Sequence, residues 1–445
     1  MAILAAWPAA ARAQIADADI AVGQTVLSGS LRTRYELIDG QARTGFDSRD
    51  GLFSLRSTLM ARDRISDTIR LAIEVYDSRT YGADPGTPLT SNEANALEPV
   101  QAYIGATFGG DGAGETGLDV QAGRFMLNLG SRRLVAADDY RNTTTGYTGL
   151  HATLTAPGGV TANLIYTLPQ QRRPDDFQSL TDNRVVLDRE NLDLVLWGGI
   201  LARSHAIGPA MAELSFFHLG EDDSPGRPNR NRSLDTFGGR ILRDPAAATF
   251  DYEVEGFYQW GSIRSSTAVT ADRIGVSAWF LHAEAGYTLA ASWKPRIAIE
   301  YDEASGDGRG GEFGRFDTLF GMRRADFAPS GIYSTTGRAN IASPGIRLEA
   351  TPSARVDWMM TWKALWLADR HDAFATTGIR DASGASGSFA GHQLEGRLRW
   401  WVVPKQLRFE FDGAYLAKGR FLKTAPNAAS TQDTRYASFN LTATF

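Results

Sequence analysis

The sequence predicts an all-β protein, a transmembrane antiparallel β-barrel of 18 strands, with 16 strands as the nearest alternative. Three observations lead to this prediction. About 18 segments of roughly 9–15 residues alternate apolar and polar side chains with a period of two, the pattern and length of tilted strands that cross a bilayer. Short and long connections alternate between the segments. The last segment, residues 436–445, alternates as well and ends in Phe445.

The strand pattern begins in residues 26–39 and is repeated in residues 52–65 and 67–78. Successive side chains of a strand point to opposite faces, so each segment has one apolar face and one face that carries Arg and Glu. The same alternation continues to the C-terminal end, in residues 98–108, 252–260, 296–302, 356–363, 394–402 and 407–415.

The connections fall into two groups by length. Short ones lie near residues 66–67, 157–159, 207–209, 244–247, 291–294, 351–353 and 404–405. Long polar ones lie near residues 80–96, 129–149, 170–189, 220–231, 305–341 and 369–388. Short turns on one rim and long loops on the other are typical of outer-membrane barrels.

The apolar face is expected to face lipid and the charged face the lumen. The segments exceed the usual five to six residues of soluble strands. Tryptophans also gather near segment ends, as in the aromatic girdles of membrane barrels. The final strand must pair with the first to remove both sheet edges.

The N-terminal residues resemble a clipped export signal. Residues 1–13 combine a short apolar stretch with Ala11, Arg12 and Ala13, which fits a cleavage site, but a basic leading region is missing. We therefore expect a truncated signal peptide remnant at 1–13, a periplasmic segment at 14–25 and the barrel at 26–445. An alanine-rich tail is the alternative for the first segment.

The amino-acid composition argues against several classes of function. Cysteine is absent and only 6 histidines are present, which argues against disulfides, iron–sulfur clusters and zinc enzymes. The net charge of −5 and the pI of about 5.8 argue against nucleic-acid binding. We expect no cofactor, no metal and no enzymatic activity.

Two motifs resemble the alginate export family. Residues 123–135, running from Gly123-Arg124 into Gly130-Ser131-Arg132-Arg133-Leu134, continue to Asn142-Thr143. Residues 301–307 (YDEASGD) are followed by residues 316–321 (FDTLFG). The resemblance implies an 18-stranded, often monomeric barrel, inserted into the outer membrane of a Gram-negative bacterium by machinery that recognises the last strand. It also implies contact with outer-membrane lipid and lipopolysaccharide, and a basic lumen that passes an anionic polysaccharide.

A chain of carboxylates needs arginine forks that bind loosely and repeatedly. Alternation predicts that the following arginines line the conduit: Arg32, Arg34, Arg56, Arg62, Arg70, Arg347, Arg397, Arg399 and Arg408. Arg132, Arg133 and Arg141 join them from the loop motif. Arg124 shares parity with lipid-facing residues, so we expect a bulge that turns it inward. The alternative for each arginine is a structural ladder with wall glutamates. Across the closure, Arg32 and Arg34 should lie near Arg397, Arg399 and Arg408.

The longest loop, residues 305–341, is expected to fold over or into the lumen, since loops beyond roughly 12–15 residues are usually functional or disordered. Its gating residues are predicted to be Arg309, Arg315, Phe316, Asp317, Arg323 and Arg324. A mobile extracellular loop is the alternative.

Other functions stay open on the sequence alone. A general or sugar-specific porin fits the same strand pattern. An outer-membrane enzyme is a further class, although paired carboxylates such as Glu300 and Asp302 recur on many strands, and the six histidines have no clear companions in register. The aspartates of residues 301–321 fit no EF-hand spacing.

Overall fold

The structure, a computed structural model, describes residues 20–110, 114–224, 228–324 and 326–445. The expected signal remnant, residues 1–13, lies outside the described residues, as do residues 14–19 of the expected periplasmic segment. No helix in these ranges is long and apolar enough to cross a membrane.

Eighteen antiparallel strands form one closed sheet, which confirms the predicted class and strand number. The strands are β1 Thr25–Asp39, β2 Arg49–Arg64, β3 Ile69–Tyr81, β4 Asn95–Gly109, β5 Gly117–Met126, β6 Gly146–Ala156, β7 Val160–Pro169, β8 Leu194–Ile207, β9 Ala210–Glu221, β10 Ser233–Arg243, β11 Thr249–Arg264, β12 Arg273–Thr288, β13 Arg296–Ala304, β14 Ile341–Ser353, β15 Val356–Trp366, β16 Phe389–Val403, β17 Leu407–Lys418 and β18 Thr434–Thr444. Two helical turns, α1 Phe177–Thr181 and α2 Arg420–Thr424, lie in loops.

Each strand pairs with its neighbour in sequence, and β1 closes the barrel against β18 from Ser30↔Thr444 to Asp39↔Arg435. Closure removes both sheet edges, which is the condition for a sheet in a membrane. The rims differ as predicted, since the turns after the even-numbered strands are short and the loops after the odd-numbered strands are longer. The long rim has three loops that sequence analysis missed, at residues 40–48, 265–272 and 419–433.

The two faces of the wall separate by polarity. On β1, Leu31 is 46 % exposed on the outer face, whereas Arg32 and Arg34 are 5 % and 2 % exposed on the inner face. The exposed large apolar side chains of the other strands follow the same parity, so the outer surface is apolar around the barrel. The apolar face is therefore the one that contacts lipid.

The interior is filled by two long loops, the β5–β6 loop (residues 127–145) and the β13–β14 loop (residues 305–340), together called the inner loops. In the β5–β6 loop, the Tyr140 hydroxyl lies 3.1 Å from that of Tyr436 on β18. In the β13–β14 loop, the Tyr333 hydroxyl donates to Gln393 Oε1 on β16 at 2.6 Å. Both loops thus reach across the barrel to the wall.

Backbone hydrogen bonds join the inner loops to each other. Ala136 N donates to Phe320 O (3.1 Å), and Phe320 N donates to Leu134 O (2.9 Å). A Cβ atom on Gly321 would stand 1.8 Å from the Arg133 carbonyl oxygen, so this approach requires glycine. The inner loops therefore form one body inside the barrel.

Part of the inner face of β9–β12 is apolar, which alternation alone did not predict, although the same face also carries Glu253 and Glu255. Phe217, Phe257 and Phe280 are buried there. Phe316 of the β13–β14 loop stacks on Phe257 and Phe280, with ring centroids 6.4 Å and 5.8 Å away. Such aromatic contacts add to the burial of the rings themselves. The inner loops are thus held by apolar packing on one side of the barrel and by polar contacts on the opposite, charged face of β16–β18, β1 and β2.

Candidate functional site

Three predicted conduit arginines on β1 and β2 point inward and hold the β5–β6 loop. Arg32 donates from Nη1 to the carbonyl of residue 139 (3.0 Å) and from Nη2 to that of residue 141 (2.6 Å). Arg34 Nη2 donates to the carbonyl of residue 140. Arg56 Nη1 donates to the carbonyl of residue 141 at 3.2 Å. These guanidiniums form a clamp on the backbone of residues 139–141.

Barrel closure brings a second group of arginines beside this clamp. Arg32 and Arg408 are both paired in register with Thr442, one on each side of β18. Strands are spaced by about 4.8 Å, so the two backbones lie roughly 10 Å apart. The next row toward the long rim runs Arg34, Asn440, Glu410 and Arg399. We call Arg32, Arg34, Arg56, Arg397, Arg399 and Arg408 the arginine band.

The second group is paired with acids on the same wall. Arg399 lies 2.8 Å and Arg397 3.7 Å from Asp357. Arg408 lies 3.3 Å from Glu410. These contacts correspond to the ladder alternative for Arg397, Arg399 and Arg408, and both Arg397 and Arg399 contact Asp357.

Two other predicted conduit arginines, Arg347 and Arg70, form ion pairs with acids of the wall. Arg347 lies 3.0 Å from Glu300 and 3.6 Å from Glu284. Arg70 contacts Asp119 at 2.6 Å. Arg62 is buried on the inner face of β2. The ladder role thus applies to Arg347 and Arg70.

The expectation for Arg124 is wrong in its structural detail. Through residues 117–126, β5 pairs with both neighbours without a register shift, so the expected bulge is absent from that strand. The Arg124 guanidinium instead lies 2.6 Å from Glu98 on β4 and 2.6 Å from Glu190 in the β7–β8 loop. These two carboxylates near the long rim compensate its charge without a change of register.

Asp326 is the junction between the inner loops. It accepts from Arg133 Nε (2.9 Å) and Nη2 (2.7 Å) of the β5–β6 loop and from Arg338 Nε (2.8 Å) of its own loop. Burial would raise the pKa of Asp326, but Arg133 and Arg338 hold it well below its ordinary value. Arg133 also pairs with Glu253 and Glu255 of β11, so the junction is tied to the wall.

His282 extends this network in a way that sequence analysis missed. His282 and Asp302 are paired in register on β12 and β13, and His282 Nδ1 lies 2.7 Å from Asp302 Oδ1. Ligand atoms of His282, Asp302 and Asp326 all lie within 4.8 Å of one another. Lys363 Nζ, however, donates to Asp302 at 2.6 Å, and two arginines already occupy Asp326. The group is therefore an ion-pair junction in which protein cations stand where a metal would bind.

The other residues of the loop motif lie nearer the long rim. Arg141 lies 2.8 Å from Asp138 and donates to Asn92 Oδ1 at 3.2 Å. Arg132 is half-buried, and its backbone carbonyl accepts a hydrogen bond from Met322 N at 3.0 Å. The motif therefore builds the contact between the inner loops.

Three of the predicted gating residues form ion pairs with different parts of the barrel. Arg324 reaches the wall acids Glu395 and Asp412. Arg315 lies 2.6 Å from Asp372 of the β15–β16 loop. Asp317 lies 2.7 Å from Arg232.

Two further gating candidates, Arg309 and Arg323, form no ion pair with a described residue. Arg309 is exposed and donates to the carbonyls of residues 382 and 383. For Arg323, the described ranges contain no hydrogen-bond or ion-pair partner of the guanidinium. The inward fold of the β13–β14 loop thus rests on Arg324 and Phe316 rather than on Arg309.

Two adjoining cavities, together called the outer vestibule, open at the long rim above the inner loops. Their volumes are about 500 Å³ and 450 Å³, and they share Arg230, Phe313, Arg315 and Thr376. The larger is lined by six arginines and two acids. Burial, and then the like charges of Arg141 and Arg43, lower the pKa of Arg323 in this wall to about 10.

Comparison with solved structures supports the fold. Acinetobacter baumannii OccAB1 superposes with a TM-score of 0.61 at 10 % identity, covering 95 % of this chain and 97 % of that one. The outer membrane protein opdK from Pseudomonas aeruginosa gives 0.60 at 10 % identity, covering 95 % and 98 %. Pseudomonas aeruginosa OpdQ gives 0.57 at 12 % identity, covering 95 % and 97 %. No curated protein matches the chain.

The sequence model of the alginate export family matches residues 24–435, which span nearly the whole barrel. Together with the fold, this match indicates a channel of the Gram-negative outer membrane. The chain belongs to the alginate export family.

Proposed function

We propose that this outer-membrane channel passes an anionic, alginate-like polysaccharide or oligosaccharide along the arginine band. The observation that carries the proposal is the band itself, which gathers six inward arginines on β2, β1, β17 and β16 around the closure. Family membership and fold are those of channels, so we propose transport without a chemical reaction.

The clamp on residues 139–141 suggests how an anion would engage the band. A carboxylate carries a full negative charge and accepts two parallel N–H groups of one guanidinium, which a neutral backbone carbonyl cannot do. A polyuronate therefore competes with the backbone carbonyls for Arg32, Arg34 and Arg56. In this proposal, passage of the polymer releases the β5–β6 loop from the clamp, and the loop closes again when the polymer has left.

The interaction must stay weak for transport. Several arginines that also contact wall acids provide repeated loose contacts, whereas a single strong site would hold the polymer. Asp357 and Glu410, which pair with Arg399 and Arg408, serve this purpose in the proposal.

We further propose that the barrel acts as a monomer. Its apolar outer face contacts outer-membrane lipid and lipopolysaccharide, and the barrel-insertion machinery reads its last strand, β18.

The test is ion selectivity in planar bilayers, with polyuronate as blocker. The native channel should prefer anions, and polyuronate should block it less as salt rises, because screening acts over about 8 Å at physiological ionic strength. Changing Arg397→Glu and Arg399→Glu together should abolish or reverse the preference. Arg203→Glu, on the outer face of β8, is the matched control. Equal permeability of the native channel to cations and anions would instead favour a general porin.

A further inference from the structure

We propose that the outer vestibule is a separate binding site for a short acidic saccharide, with Arg323 and Arg230 as its carboxylate-binding residues. The inference deepens the proposed function and rests on it for the identity of the anion. It does not involve the arginine band, which lies on the barrel wall and shares no residue with the vestibule lining.

Charge pairing distinguishes these two arginines from the other four in the lining of the larger cavity. Asp138 compensates Arg141, and Asp372 compensates Arg315. The remaining two, Arg232 and Arg338, pair with Glu221 and Asp317 and with Asp326, respectively. Within the described ranges, no carboxylate contacts Arg323 or Arg230. Asp138 and Asp307 act on Arg323 and Arg230, respectively, only through longer-range electrostatics, so both guanidiniums keep donors free of a carboxylate.

Arg230 is held in place while keeping donors for a ligand. Its Nε donates to the carbonyl of Arg264 (2.8 Å) and its Nη2 to that of Ser265 (3.3 Å). Its guanidinium carbon also lies 4.5 Å from the centre of the Phe313 ring. A guanidinium has five N–H donors, and these contacts use two of them. The remaining donors have a preset orientation, which reduces the entropy lost on binding.

Arg323 differs from Arg230 because its guanidinium has no hydrogen-bond or ion-pair partner among the described residues. It is half-buried and its nitrogen atoms are not sealed from solvent. Arg141 and Arg43 repel its charge. A carboxylate placed here would offset both the partial desolvation and this repulsion.

The size and chemistry of the vestibule fit an acidic oligosaccharide. Each of its two cavities falls in the roughly 300–1,000 Å³ range of small-molecule sites. One guanidinium stacked on Phe313 and a second in the same cavity lining suit a ligand that carries repeated carboxylates on an otherwise uncharged ring. Because the long rim of such barrels is extracellular, the site would engage the saccharide on the outer side of the inner loops.

The experiment measures binding of a mannuronate trimer to the purified full-length channel by calorimetry, with maltotriose and sulfate as comparison ligands. The double variant Arg323→Gln/Arg230→Gln should bind the trimer at least about tenfold more weakly, because it removes both groups that donate charge-assisted hydrogen bonds to the carboxylates. Arg420→Gln is the matched control, because this loop arginine donates to the carbonyl of Ala385 and lines neither cavity.

The inference is overturned if the double variant binds the trimer as tightly as the native channel. It is also overturned if sulfate or maltotriose binds as tightly as the trimer, because the site would then not select an acidic saccharide. In bilayers, the trimer should block when added on the long-rim side, and the double variant should lose this block while keeping its anion preference.

These readouts separate the two proposals. Lost trimer binding in the double variant of a channel without anion preference would support the vestibule site and contradict the conduit. Unchanged trimer binding in an anion-selective channel would contradict the vestibule site and leave the conduit standing.

Discussion

Replacing Asp326 by Asn should detach the inner loops from each other. Asp326 is 4 % exposed and faces Arg133 and Arg338. In the variant, Arg133 keeps the acids Glu253 and Glu255. Arg338 keeps the carbonyl of residue 322 but no carboxylate among the described residues. The substitution therefore leaves one buried cation uncompensated.

The loss of the only carboxylate partner that Arg338 has among the described residues sets the expected free-energy change. Removing one partner of a buried ion pair costs about 3–5 kcal/mol. Each 1.4 kcal/mol corresponds to about a tenfold change, so the equilibrium between docked and detached loops should shift by roughly two to three and a half powers of ten. Because the inner loops fill the barrel, their detachment should raise conductance.

Two measurements check this prediction: hydrogen exchange of residues 127–145 and 305–340, and single-channel conductance. Asp317→Asn is the matched control on the same loop, since Asp317 and Arg232 are each about one-quarter exposed. Ion pairs at exposed positions contribute about 0–1 kcal/mol, so this variant should change exchange by no more than about fivefold. Native exchange and conductance in Asp326→Asn would show that the junction does not hold the loops.

Two further predictions concern the long rim and the outer face. Burial raises the pKa of Asp188 in the β7–β8 loop to about 6, so the folded loop binds its proton more tightly than the unfolded chain does, and loop stability should fall as pH rises from about 4 through 6. Exchange protection factors of residues 170–193 should therefore be higher at pH 5 than at pH 7, and Asp188→Asn should flatten this difference. Ile299→Arg should destabilise the barrel, by about 2–4 kcal/mol if this outward residue lies at the bilayer midplane. Unfolding in lipid vesicles checks that value, and a neutral effect would mean that this face does not contact lipid.

Much of the wall could be predicted because strand patterning is local. Alternation along residues 26–39 is enough to assign Arg32 and Arg34 to one face and Leu31 to the other, whichever residues the strand pairs with. The apolar surface needed by a bilayer also decides which face is outside. The same reasoning predicts that closure brings Arg32 and Arg408 into one row, because the first and last strands must pair.

The partners of these residues could not be predicted, because they depend on how the loops fill the interior. Arg34 donates to a carbonyl 106 residues away in the chain, and Arg133 pairs with Asp326 at a separation of 193 residues. Loop segments have no periodic pattern that encodes such contacts. Even the pairing of His282 with Asp302 needed the strand register, although both residues lie at inward positions of neighbouring strands.

By itself, then, the sequence determined the barrel, its strand number and the direction in which most wall side chains point. Those properties follow from the alternation of side chains along a strand with a period of two, and from the apolar surface that a lipid bilayer requires. Tertiary structure decided which arginines hold the inner loops and which are balanced by acids. It also decided that Arg323 and Arg230 face the outer vestibule with no described carboxylate in contact with them. These outcomes depend on distances of a few ångströms between distant segments, and such distances arise only when the loops pack inside the closed wall.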